Sequence, residues 1–182
     1  MNLANNLSLI RILLVPVFIG LLLYYSAENI WMKFLPAAVF LIACLTDALD
    51  GLVARKLNQR TVVGSYIDPI ADKLLLLGGF LSLSFMTHLP QDMRIPAWVT
   101  IPVVTRDVII LIGVTVIFLI TGKMKAEPLF ISKVTTVIQM SALFAALVAA
   151  PSWLQLVLCI LTVLLTIFSG IEYLKMGTRL LQ

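Results

Sequence analysis

Charge is scarce in this chain. Lys, Arg, Asp and Glu together make up 12% of its 182 residues and hydrophobic residues 61%, against roughly 25% charged and about half apolar in a soluble domain. So few charges cannot cover a water-facing surface, which excludes an ordinary soluble domain and points to an integral membrane protein. Cysteine is as sparse: Cys44 and Cys159 lie in separate apolar runs without metal-ligand spacing. They imply neither a disulfide framework nor a thiolate cluster and read as small buried hydrophobes. One histidine, His88, at the end of an apolar run, cannot build a histidine metal centre and reads as an interfacial loop residue. The net charge of +4 comes without a long basic tract. Its Lys and Arg clusters between apolar runs suit loop charge beside anionic headgroups, so nucleic acid is not expected as a partner.

Long hydrophobic runs are what the chain has in place of charge. At about 20 residues per crossing, six spans are expected at 8–26, 31–54, 66–87, 95–121, 129–149 and 152–175. Each must be helical, because only a helix satisfies its own backbone groups in lipid. The fold class is therefore all-α integral membrane, read as one domain over 1–182. Residues 2–11 carry Asn5, Ser8 and Arg11 at three-residue spacing and read either as a short juxtamembrane amphipathic helix or as the start of the first span. Residues 1–8 show no basic n-region or cleavage site, so the first apolar run is expected to stay as a span. With both termini cytoplasmic, that side receives Arg55, Lys56, Arg60, Lys123, Lys125, Lys175 and Arg179, and the other only Lys33 and Arg94, as positive residues prefer. Trp31, Trp98 and Trp153 lie near span ends and read as interfacial anchors. No internal repeat or Gly-x-x-x-Gly motif stands out, and Gly78-Gly79 reads as close packing or as slack in the third span.

Against this background four aspartates require an explanation. Asp47 and Asp50 lie in the second run, Asp68 and Asp72 in the third, and a carboxylate near the bilayer core costs roughly 2.5–3.5 kcal/mol on the insertion scale. Helical geometry puts Asp47, Asp50 and Ala54 on one face, and Gly64, Asp68 and Asp72 on one face of the next helix. Several carboxylates without nearby His or Cys suit a hard divalent ion such as Mg²⁺ or Mn²⁺, which commonly meets phosphate oxygens. Gly51, Ala54 and Gly64 remove bulk beside the acids, and Arg55 offers a planar donor fork suited to phosphate. Two other readings stay open: an ion carrier with acids in its spans, and structural pairing with Arg55, Lys56 and Lys73.

The run Asp47, Asp50, Gly51, Ala54, Arg55, Gly64, Asp68, Asp72 resembles, position by position, the signature of the CDP-alcohol phosphatidyltransferase family. Asn5, Ser8 and Arg11 resemble that family's Asn-x-x-Thr-x-x-Arg entry, with Ser for Thr. The resemblance implies transfer of a phosphatidyl group from CDP-diacylglycerol to an alcohol, with CMP leaving. It implies that Asp47, Asp50, Asp68 and Asp72 hold one or two Mg²⁺ or Mn²⁺ ions, with Asp72 also the general base. Gly51, Ala54, Arg55 and Gly64 would line the donor pocket. No Ser, Cys or His is placed for a covalent intermediate, so a sequential mechanism is expected. The resemblance also implies a homodimer, and a bacterial inner membrane with a cytoplasmic active site is the simplest setting.

The second half of the chain should choose the acceptor. Arg106 and Lys133 are costly in a membrane unless they bind something, and are assigned to an anionic acceptor, with pairing to Asp107 and Glu127 as the alternative. Arg106-Asp107-Val108 and residues 128–136 resemble the CMP-forming cardiolipin synthases of the family, whose acceptor is phosphatidylglycerol. The turns after Arg106, 108–118, also lack the second basic residue that a dianion would favour. Phosphatidylglycerol is therefore the expected acceptor, and glycerol 3-phosphate, used by the family's phosphatidylglycerophosphate synthases, the alternative.

Overall fold

The computed structural model describes residues 3–26, 28–56, 62–121 and 130–180. These described residues form six α-helices, α1 (Leu3–Leu23), α2 (Ile30–Lys56), α3 (Val62–Phe85), α4 (Ala97–Thr121), α5 (Phe130–Leu147) and α6 (Ser152–Leu180), with a 3-10 turn at Gln91–Met93. No strand occurs among the described residues. Each helix overlaps one expected span. The stretch from Leu3 to Arg11 runs into the first span without a break, so α1 starts as one continuous helix. Pro16, Pro36 and Pro102 lie inside helices, which membrane helices tolerate where neighbouring groups satisfy the freed carbonyl.

The helices gather into two compact units, Met1–Arg94 with Leu143–Ala150, and Ile95–Ala142 with Pro151–Gln182. In the first, α1 packs against both α2 and α3, which touch each other only briefly. Its core is aromatic and aliphatic: Phe18, Leu22, Phe40, Leu75, Phe80 and Leu83 are all buried, and the rings of Phe18 and Phe40 meet at 5.8 Å and 41°. The glycine pair of α3 lies at close contacts. A Cβ on Gly78 would come within 3.0 Å of Ile19, and one on Gly79 within 3.0 Å of Leu143.

Polar groups tie the helix ends of this unit. Asn29 Oδ1 accepts from the Trp31 amide at 3.1 Å, capping α2. His88 Nε2 lies 2.8 Å from the Leu22 carbonyl, which also accepts the Tyr25 amide at 3.3 Å at the end of α1. Arg94 donates to the Thr87 carbonyl within the α3–α4 connection. A cavity of about 200 Å³ opens at this end of the unit, lined by Tyr25, Phe34, Asp92, Met93, Leu147 and Ala149 among others. The Tyr25 phenol, beyond the end of α1, is pushed above its usual pKa by burial and, secondarily, by the Asp92 carboxylate.

In the second unit α4 packs against α6, and the buried positions include many polar ones: Thr100, Arg106, Thr135, Gln139, Thr162, Thr166 and Ser169. Gln139 Nε2 donates to Thr166 Oγ1 at 3.1 Å, and Thr135 Oγ1 donates to the Ile131 carbonyl at 2.8 Å. Meanwhile large apolar side chains stand exposed on every helix, from Leu13 and Val17 through Ile101 and Ile112 to Leu164 and Ile171. Apolar surface of that extent is an error in water and the correct outside in lipid. Trp31 and Trp153, exposed near the starts of α2 and α6, suit the headgroup boundary.

Three apolar helical stretches are long enough alone to cross a membrane among the described residues, Gln91–Gly113, Phe130–Leu147 and Ser152–Tyr173. Ile10–Leu23, Phe34–Thr46 and Lys73–Phe85 are apolar but shorter. The chain is thus an all-α membrane protein. Cys159 is buried and Cys44 half-buried, and no disulfide joins them.

Candidate functional site

Two clusters carry the residues singled out by sequence, one in each unit. Asp47, Asp50, Gly51, Ala54 and Arg55 fall in the C-terminal turns of α2, and Gly64, Asp68 and Asp72 in the N-terminal half of α3. All eight are helical. The i, i+3 spacing of Asp47 and Asp50 therefore gives them one face of α2, and the i, i+4 spacing of Asp68 and Asp72 gives them one face of α3. Both helices rest on α1. The side chains of these eight residues lie outside the described residues, as do those of Asn5 and Ser8. Among the described side chains, no three carboxylate, imidazole or thiol groups gather.

As a donor set the four acids fit a hard divalent ion: they are oxygen-only, and an unbroken helix fixes the spacing within each pair. His88 offers no competing ligand, since it sits beyond the far end of α3 on the Leu22 carbonyl. Arg11, from the expected N-terminal motif, is buried on α1.

The second cluster is described in atomic detail. Arg106 is 6% exposed, at a depth where an isolated cation would be costly. Its Nη1 donates to Asp107 Oδ1 at 2.7 Å, so the pairing weighed from sequence is present. Its Nη2 donates both to Ser132 Oγ on α5 and to Ser169 Oγ on α6, each at 2.7 Å. The Tyr173 ring centroid lies 5.8 Å from the guanidinium carbon, within cation–π range. A Cβ on Gly170 would stand 3.6 Å from Arg106 Cγ, so a small residue there leaves the arginine stem room. Nε of Arg106 is buried without a hydrogen-bond partner among the described residues. Lys133, beside Ser132, is exposed. Glu127 lies outside the described residues.

Ser169 and Tyr173 escaped the sequence reading, and Ser132 was seen only as part of a longer run. The signal was spacing. Thr162, Thr166, Ser169 and Tyr173 recur every three or four residues through an otherwise apolar α6, and Ser132, Thr135 and Gln139 do so through α5. A polar stripe of that period in a membrane helix marks the side turned from lipid.

Paired acids on α2 and α3, beside small residues and an arginine, keep the spacing from which a divalent ion and a phosphate ligand were expected. The family model for CDP-alcohol phosphatidyltransferases matches residues 1–168, and the chain belongs to that family. Among its relatives, a protein from Aquifex aeolicus named CDP-diacylglycerol--glycerol-3-phosphate 3-phosphatidyltransferase is 34% identical over 187 residues, covering 100% of this chain and 98% of that protein. A probable phosphatidylglycerophosphate synthase of Mycobacterium tuberculosis is 34% identical over 182 residues, 98% of this chain and 82% of the relative. A Blochmanniella floridana protein named as the Aquifex one is 32% identical over 155 residues, 84% of this chain and 76% of the relative. The chain is therefore a membrane transferase of phospholipid biosynthesis, and the carrier reading falls. The acceptor ranking also turns round, because these relatives bear the name of the glycerol 3-phosphate enzymes and not of the cardiolipin synthases.

Proposed function

We propose that the chain transfers a phosphatidyl group from CDP-diacylglycerol to glycerol 3-phosphate, forming phosphatidylglycerophosphate and releasing CMP. The observation that carries the acceptor is the set of relatives so named, which align along nearly the whole chain. The absence of a second basic residue after Arg106 argued for a diester. That count of cations left out the hydroxyls of Ser132 and Ser169, which sit on the Arg106 guanidinium and add polar groups beside it without adding charge.

In this reading the whole chain acts as one catalytic domain. Asp47, Asp50, Asp68 and Asp72 hold one or two Mg²⁺ or Mn²⁺ ions, which when bound supply positive charge against the donor diphosphate. Gly51, Ala54 and Gly64 let the nucleotide approach the backbone, and Arg55 donates to its phosphates. Asp72 accepts the proton of the acceptor hydroxyl as its oxygen attacks the phosphatidyl phosphorus and the phosphorus–oxygen bond to CMP breaks. Arg106 and Lys133 hold the acceptor. The site opens to the cytoplasm of a bacterial inner membrane, the side favoured by the Lys and Arg distribution. Assembly as a homodimer rests on the family resemblance and is read by native mass spectrometry.

The test is CMP release and lipid product from purified protein given CDP-diacylglycerol with either glycerol 3-phosphate or phosphatidylglycerol. Phosphatidylglycerophosphate from the first tube alone is the expected result; cardiolipin from the second alone would return the acceptor to phosphatidylglycerol. Chelation with EDTA should stop turnover and added Mg²⁺ or Mn²⁺ restore it. Asp72→Asn should lower kcat by about 100-fold or more while CDP-diacylglycerol still binds. Retained turnover in that variant would remove Asp72 as the base.

A further inference from the structure

At the ends of α2 and α3 away from the four aspartates, the first unit holds a cavity that the reaction does not use. It measures about 200 Å³ and lies among Tyr25, Phe34, Asp92, Leu147, Val148 and Ala149, all of them in one compact unit. Sites for drug-sized ligands run to roughly 300–1,000 Å³. This one admits a small group and not a nucleotide.

Its lining favours a cation that carries N–H groups. The Asp92 carboxylate lies close enough to Tyr25 to raise the phenol's pKa, second to burial, so the phenol stays neutral and its oxygen can accept. A carboxylate has about four acceptor sites, which lets Asp92 hold an ammonium beside its other contacts. The C-terminus of α5 adds the partial negative charge of a helix end. There the amides of Val148, Ala149 and Ala150 close on the Phe144, Ala146 and Ala145 carbonyls, and no backbone amide among the described residues reaches the carbonyl of Leu147 or Val148. Tyr25 and Phe34 bring aromatic rings to the same wall, and ring faces attract ammonium groups.

The position of the cavity names the source of that cation. It lies where α1, α3 and α5 end and α2 begins, beside the start of α2 that carries Trp31, 82% exposed, which is the level of lipid headgroups. Phe34 and Val148 stand exposed, so acyl chains can reach its rim. Arg94 follows directly on the 3-10 turn that contains Asp92. Its Nη2 donates to the Thr87 carbonyl, and its Nε is buried without a hydrogen-bond partner among the described residues. That leaves a charged donor suited to a phosphate oxygen. A phosphate and an ammonium joined by a short link are the two ends of one zwitterionic headgroup.

We propose that this cavity binds a zwitterionic phospholipid through its primary ammonium, with the lipid phosphate on Arg94, at the membrane face opposite the four aspartates. The inference does not depend on which acceptor the enzyme uses.

Native mass spectrometry of the purified protein, offered equal amounts of dioleoyl phosphatidylethanolamine, phosphatidylcholine and phosphatidylglycerol, tests it. The ethanolamine lipid should be retained about tenfold or more over either of the others, because hydrogen bonds that involve a charged group are the strong ones and choline has no N–H to give. Asp92→Asn should abolish that preference and Arg94→Gln should weaken retention of the ethanolamine lipid. Both variants should release CMP at the wild-type rate, which also shows that they fold. Equal retention of the three lipids by the wild type, a result that needs no variant, would overturn the proposal, as would a folded Asp92→Asn protein that keeps the preference. Glycerophosphoethanolamine, the same headgroup without acyl chains, should not displace the lipid at equal concentration; its capture in place of the lipid would overturn the membrane as the source.

Discussion

At the scale of single residues, cost in the membrane decides what can be read from sequence. Arg106 and Lys133 stand out because an unpaired cation in a span is expensive, and the structure gives Arg106 three side-chain partners, Asp107, Ser132 and Ser169. Serine in an apolar helix costs little, so Ser169 carries no such flag. Its partner 63 residues away in sequence becomes visible only when α4 and α6 pack. The same holds for Gln139 and Thr166, bonded at 3.1 Å. Gln139→Leu should lower stability by about 1 kcal/mol or less, as interhelical hydrogen bonds in membrane proteins average about 0.6 kcal/mol. Thermal melting in detergent checks this, and a loss of several kcal/mol would mean that the glutamine holds more than one threonine.

At the scale of elements, the spans were legible because hydrophobic length is a physical requirement, and the disagreements fall where that requirement ends. α6 continues to Leu180, past Lys175, because a helix leaving the bilayer needs no apolar residues to keep its backbone bonds. α3 begins at Val62, ahead of the apolar run, for the same reason. The ends themselves carry details that hydropathy cannot show. α5 stops in a Schellman turn, with Ala150 N–H to the Ala145 carbonyl at 2.9 Å and Ala149 N–H to the Ala146 carbonyl at 3.0 Å. The residue in the left-handed position is Ala149, at φ 50°, where glycine is the usual occupant. Ala149→Gly should relieve about 1 kcal/mol and raise Tm by roughly 2–4 °C; an unchanged or lower Tm would show that the turn is held by its surroundings. Gly79 offers the opposite case. Gly79→Val would drive a branched side chain into Leu143, already 3.0 Å from a first carbon, and should cost about 1–3 kcal/mol. Gly79→Ala should come closer to neutral, because alanine gains up to about 1 kcal/mol of helix propensity.

At the scale of the whole molecule, composition announced the solvent. A chain with 61% hydrophobic residues buries polar side chains such as Thr100, Arg106, Thr135, Gln139 and Thr166 while large apolar ones such as Leu13, Ile112 and Leu164 stand exposed, as lipid permits and water does not. The placement of Lys and Arg also carries an expected orientation, with both termini cytoplasmic. Gln91, exposed in the α3–α4 connection, and Lys175, exposed near the end of α6, are suitable positions for testing it. In a cysteine-free background, Gln91→Cys should react with an impermeant maleimide in intact cells, and Lys175→Cys only after the membrane is opened. The reverse pattern would turn the protein over. What composition does not contain is the division into two units, with α5 giving its first turns to one and Leu143–Leu147 to the other, because that depends on which side chains meet and not on how apolar they are.

The Arg106–Asp107 contact also bears on how the protein is made. As the chain is synthesised from its N-terminus, α4 is complete before Ser132 and Ser169 exist. An arginine entering the bilayer at that moment would carry a cost of roughly 2.5–3.5 kcal/mol. Of the partners that Arg106 has in the finished protein, only Asp107, 2.7 Å away and the next residue in the chain, is already present. The pair can therefore enter as one neutral group, and the serines inherit a guanidinium whose passage into lipid was secured by its neighbour.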